Sequence, residues 1–100
     1  MSPDLLTRES ILDLLRAERE TLVGLGVRDI ALFGSFARGK QTTSSDVDIL
    51  VDLADSRFDT YMDVKLFLEG HFGRPVDLVV RDAVKPRLRK HIIDEAIRAA

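Results

Sequence analysis

Two apolar runs, Ile30-Ala31-Leu32-Phe33 and Ile49-Leu50-Val51, bracket a polar segment that opens with Gly34-Ser35 and closes with Asp46-Val47-Asp48. This arrangement constrains the fold more than any other stretch. It reads as strand, turn, loop, strand, with strands over Val27 to Phe33 and Val47 to Leu53 and a short helix over Ser35-Ala37 after the turn. Side chains alternate along a strand, so Val47, Ile49 and Val51 turn to one core layer while Asp46 and Asp48 share the opposite side. Residues i and i+2 lie roughly 6.6 Å apart at about 3.3 Å per residue. Two carboxylates are thereby held next to a Gly-Ser turn. Gly34 permits close backbone approach, and Ser35 adds a hydroxyl and turn N–H groups suited to phosphate oxygens. Paired carboxylates suit magnesium, a hard cation that bridges to nucleotide phosphates. The segment reads as a site for a nucleoside triphosphate.

A third apolar run, Val76 to Val80, is interrupted only by Asp77. An unpaired carboxylate in such a strand is costly to bury, so Asp77 is expected to join Asp46 and Asp48 if the strands are neighbours. It would then bind the catalytic ion and accept the proton of an attacking hydroxyl. The bland alternatives are strand-end carboxylates in solvent or paired to arginines, and an ordinary strand-ending turn at Gly34-Ser35. Asp52 shares the parity of Asp48 but lies too far along to share its site, and is expected to face a loop.

Gly34-x-x-x-x-Gly39-Lys40 has the spacing of a P-loop, but Gln41 stands where Ser or Thr would hold magnesium. The following Thr42-Thr43-Ser44-Ser45 is loop-like where a helix is needed. The P-loop reading is set aside.

The remaining elements are helical. Ser2-Pro3-Asp4 is a helix-start signal, and Ile11, Leu15 and Leu22, with Leu12 and Leu14, form one apolar face that Gly24 and Gly26 terminate. Asp59 or Thr60 is placed to cap a second long helix carrying Tyr61, Val64, Leu68 and Phe72, ended by Gly70 and Gly73-Arg74-Pro75. Pro86 begins a last helix with Leu88, Ile92 and Ala96 inward. The basic cluster in and before it, Arg81, Lys85, Arg87, Arg89 and Lys90, reads as a solvated face, with a partner contact or help with nucleotide phosphates as the lesser alternative. The order α-β-α-β-α-β-α predicts an α/β (α+β) fold, a small mixed sheet of three or four strands flanked by helices.

One hundred residues make one domain, residues 1–100. A net charge of −2 with acids and bases interspersed argues against direct nucleic-acid binding. The absence of cysteine excludes disulfides and thiolate zinc sites. No signal peptide and no membrane span are evident, so a soluble, cytoplasmic protein is expected.

Gly-Ser, ten residues, then Asp-x-Asp resembles the nucleotidyltransferase superfamily that includes DNA polymerase beta and the kanamycin nucleotidyltransferases. GSFARG followed by SDVDILVD is similar to its minimal nucleotidyltransferase (MNT) domains, usually paired with a HEPN-domain protein as toxin and antitoxin. Asp77 stands where the superfamily's third carboxylate belongs. The resemblance implies a polymerase beta-like core with Asp46, Asp48 and Asp77 as catalytic and metal-binding residues. Gly34, Ser35 and Arg38 would contact the triphosphate. It implies Mg2+, two ions, with ATP as substrate, and transfer of AMP to a tyrosine hydroxyl of a HEPN-type RNase toxin held in a hetero-oligomer. A binding module that silences its partner by steric masking is the alternative, and transfer to a small molecule a lower one. Because Ile97-Arg98-Ala99-Ala100 is short, the final strand seen in some relatives is expected to be missing.

Overall fold

A computed structural model of the protein describes residues 6–99. The three expected strands form where the apolar runs place them: β1, Val27–Phe33; β2, Val47–Leu53; and β3, Val76–Val80. β2 runs antiparallel to β1 and parallel to β3, and a fourth strand, β4, Ile97–Arg98, adds antiparallel to β1. The sheet order is β3-β2-β1-β4. The mixed sheet flanked by helices is thus as expected, but the missing final strand is corrected. Ala31 and Leu32 of β1 offer a free edge to Arg98 and Ile97, and the Ala99 N–H continues the pairing to the Ile30 carbonyl at 3.2 Å. Two residues are enough to use that edge.

Register sorts the sheet into two faces. Ile30 pairs with Val51 and Leu32 with Ile49, while Val47 and Ile49 pair with Val76 and Leu78. These side chains are buried together with Ile11, Leu15, Leu22, Val64 and Leu68 of the helices α1 (Arg8–Ala17), α2 (Arg19–Leu25) and α4 (Phe58–Phe72). Each fully buried aliphatic side chain contributes about 1.5–3 kcal/mol, so this layer anchors the sheet. The opposite face carries Asp29, Ala31 and Phe33 of β1, opposite Asp52, Leu50 and Asp48 of β2, with Asp77 and Val79 of β3 alongside.

The helices depart from expectation in instructive ways. The first is broken at Glu18, which has φ −98 and ψ 16, into α1 and α2 rather than running unbroken through Leu22. Ser2-Pro3-Asp4 lies outside the described residues. Thr7 caps α1: its hydroxyl accepts from the Ser10 N–H at 3.1 Å while Ser10 Oγ accepts from the Thr7 N–H at 2.9 Å, a reciprocal capping box. Gly24 is absorbed into α2, and Gly26 alone ends it in the left-handed conformation, φ +110. Neither Asp59 nor Thr60 caps α4. The helix starts at Phe58 after Arg57, whose N–H is taken by the Asp55 carboxylate at 3.0 Å. It also passes through Gly70 and stops only at Gly73.

A five-residue helix, α3 (Gly34–Arg38), follows β1 directly. The last helix, α5 (Pro86–Glu95), starts at Pro86 as expected, but Leu88 is 49% exposed rather than inward. Leu88 lies in the first turn of α5, whereas the sheet is met at the other end of the helix. Ile93 of α5 and the following Ala96 instead meet Ala31 and Leu50 around a cavity of about 280 Å³. On the outer edge of β3, the Tyr61 hydroxyl donates to the Leu78 carbonyl at 2.9 Å and Glu69 accepts the Val76 N–H at 3.0 Å. These side chains cover backbone groups that an exposed edge strand would present to other chains. No helix among the described residues is long and apolar enough to cross a membrane.

Candidate active site

The turn from β1 into α3 and the start of β2 are built against each other. Gly34 is buried and has φ +74, and a Cβ added there would lie 2.0 Å from Oδ2 of Asp48. Glycine is required twice over, for the left-handed backbone and for the space its missing side chain leaves. Phe33 is the register partner of Asp48, which is why the carboxylate falls on the Gly34 backbone. Ser35, half-buried, follows in the first turn of α3.

Asp48 is also the register partner of Asp77 across the parallel β2–β3 pair. Burial first, then the charges of Asp77 and Asp46 and a hydrogen bond with Asp77, push the Asp48 carboxyl above the ordinary carboxylate range, with Arg38 opposing. Asp46 precedes β2 and is exposed. The expected carboxylates therefore lie near one another at the α3 end of the open sheet face.

Among the described residues, no three His, Cys, Asp or Glu side chains stand close enough to cage an ion by themselves. Magnesium does not require such a cage, since it is usually held by one or two carboxylates together with substrate phosphates. The donor set fits that mode. It consists of hard oxygen ligands, with Asp48 held above the ordinary carboxylate range by burial first and by its neighbouring carboxylates second, beside a glycine whose backbone is open to close approach.

Arg38 ends α3 and forms an ion pair with Glu95 at the end of α5, and His91 Nε2 lies 3.6 Å from the other Glu95 oxygen. Its charge still reaches Asp48, so it is placed between a carboxylate partner and the candidate site. Glu95 was not legible as a participant, because it is 57 residues away and belongs to no local pattern. Asp52 is corrected. It looks out from the open face rather than into a loop, paired with Arg28 at 3.0 Å and set opposite Asp29, which holds Arg98 at 3.2 Å. Arg74, also unmarked by any motif, bonds to the loop ahead of Asp46.

Comparison with known proteins agrees with this fold. The nucleotidyltransferase domain family matches residues 3–99. The protein adenylyltransferase MntA of Thermococcus cleftensis is 36% identical over 95 residues, covering 93% of this chain and 96% of that protein. A solved structure assigned to the minimal nucleotidyltransferases superposes with a TM-score of 0.71 at 38% identity, over 86% of this chain and 93% of the other. A toxin–antitoxin structure with AMP-PNP superposes at 0.68 with 26% identity, over 95% of this chain and 73% of the other.

Proposed function

This chain belongs to the nucleotidyltransferase domain family and is a nucleotidyltransferase, and from that premise we propose that it moves AMP from ATP to a tyrosine hydroxyl of a HEPN-type RNase, acting as that toxin's antitoxin within a hetero-oligomer. The observation that carries the reading is the contact of Gly34 with Asp48 and of Asp48 with Asp77, which joins three separate sequence motifs at one place. The name of the Thermococcus relative and the nucleotide analogue in the toxin–antitoxin structure support the protein acceptor and ATP.

Asp46, Asp48 and Asp77 would hold magnesium, two ions in the arrangement such transfers use. When bound, magnesium supplies charge neutralisation for the attacking and leaving oxygens. The backbone at Gly34 and the Ser35 hydroxyl orient the β- and γ-phosphates. Arg38 turns from Glu95 towards their charge. Asp77 accepts the proton of the acceptor hydroxyl as its oxygen bonds to the α-phosphorus, and the bond from that phosphorus to the bridging oxygen breaks to release pyrophosphate.

The test is label transfer. With partner and magnesium present, ATP labelled at the α-phosphate should mark the partner, and ATP labelled at the γ-phosphate should not. Labelling by γ-phosphate alone would make the protein a kinase. Neutralisation without either label would favour steric masking.

A further inference from the structure

The loop from Gly39 to Asp46 has no buried side chain of its own to fix it, yet it delivers Asp46 to the candidate site. Its first residues stay bonded to α3, Gly39 N–H to the Phe36 carbonyl at 3.2 Å and Lys40 N–H to the Ser35 carbonyl at 2.9 Å, while Thr42 N–H to Ser45 Oγ at 2.8 Å and Ser45 N–H to the Thr42 carbonyl at 3.1 Å shape a turn farther along. That turn, next to Asp46, is attached by Arg74 in the α4–β3 connection. One guanidinium nitrogen donates to the Ser45 carbonyl at 2.8 Å and approaches the Thr42 carbonyl at 3.5 Å. The guanidinium also lies 5.5 Å from the centre of the Phe36 ring, a fully buried side chain of α3. The next residue, Pro75, takes the Val47 N–H at 3.0 Å. Residues 45 and 47 are thus tied to Arg74-Pro75 on both sides of Asp46.

We infer that Arg74 is a positioning residue for nucleotidyl transfer, locking the Asp46 loop onto the helix that carries Gly34 and Ser35. The inference rests on the site reading proposed above. Arginine suits the task where lysine does not. Its planar group stacks on a ring face while directing N–H donors in the plane, whereas an ammonium is a strongly hydrated point charge. Arg8, which donates to the Ala37 carbonyl at 3.2 Å, braces α3 but does not touch the loop, so it serves as a control.

The experiment uses the full chain and Mn2+ as a spectroscopic substitute for magnesium, titrated by electron paramagnetic resonance with a non-hydrolysable ATP analogue present. Wild type, Arg74→Lys, Arg74→Met and Arg8→Met are compared. Supporting partners that orient metal ligands typically change affinity 10–100-fold, so Mn2+ affinity should fall by about tenfold in both Arg74 variants. It should be unchanged in Arg8→Met. In parallel, the Ser45 and Val47 amides should exchange hydrogen faster in the Arg74 variants, with the buried β2 amide of Ile49 unaffected. Wild-type Mn2+ affinity in the Arg74 variants, whether or not their melting temperature falls, would overturn the inference and leave the site reading standing. Failure of wild type to bind Mn2+ with the analogue would overturn both.

Discussion

Replacing Gly34 with alanine sets a sharp test of the site, because its two costs can be separated. Alanine at φ +74 incurs the left-handed penalty of roughly 1–2 kcal/mol. In a domain of 60–100 residues each kcal/mol lowers the melting temperature by about 4–8 °C. The second cost is local: the new Cβ would lie 2.0 Å from Oδ2, 2.7 Å from Cγ and 2.9 Å from Cβ of Asp48. The oxygen must retreat by about 1 Å to regain a permitted contact, and a misplacement of that size lowers catalysis by about 100-fold. Gly39 supplies the control. It has φ +69, but a Cβ there meets nothing within 4 Å. Both variants should therefore lose thermal stability, followed by circular dichroism, Gly34→Ala the more because of its overlap with Asp48, while only Gly34→Ala loses AMP transfer, followed by α-labelled ATP. Equal transfer by the two variants would refute the assignment of Asp48, pressed on Gly34, to the reacting centre.

Other consequences follow from the charges. Because the folded protein holds the Asp48 carboxyl above its ordinary range, the metal-free protein binds this proton more tightly than the unfolded chain. The stability it contributes is full below the unfolded pKa and is lost as pH rises through the folded value. Asp48→Asn should accordingly raise the melting temperature of the metal-free protein at neutral pH, with the gain shrinking in acid, while abolishing transfer; a lower melting temperature at neutral pH would contradict the burial of this carboxyl beside Asp77 and Asp46. Glu95→Gln should free Arg38 for the triphosphate and lower KM for ATP by at most about fivefold, the scale of a partly exposed ion pair. A rise in KM would show instead that Glu95 holds Arg38 in its working position.

The parts of this structure that were legible in the sequence are those determined by close neighbours. The apolar runs Ile30-Ala31-Leu32-Phe33 and Ile49-Leu50-Val51 mark both long strands, and Val47, Ile49 and Val51 share one parity on β2. Asp48 and Asp77 stand out because carboxylates in apolar strands demand a reason, and Asp46 because it lies two residues before Asp48 at the strand's start. The break at Glu18 was hidden because the apolar positions on its two sides continue one helical stripe. Thr7 was missed as a cap because its reciprocal partner is Ser10 rather than the usual Glu or Gln. The exposure of Leu88 was hidden because a helical period shows which residues share a face, not which end of the helix meets the sheet. Arg74 and Glu95 act across long separations on a loop and on Arg38, and only the packed fold brings them together.

The most direct test of the central claim is the intact mass of the co-purifying partner after incubation with ATP and magnesium, using wild type and the Asp46→Asn/Asp48→Asn variant. The expected result is one or more added AMP units with wild type only, accompanied by loss of the partner's RNase activity. Full neutralisation by the double variant with no change in partner mass would contradict enzymatic silencing and establish masking in its place.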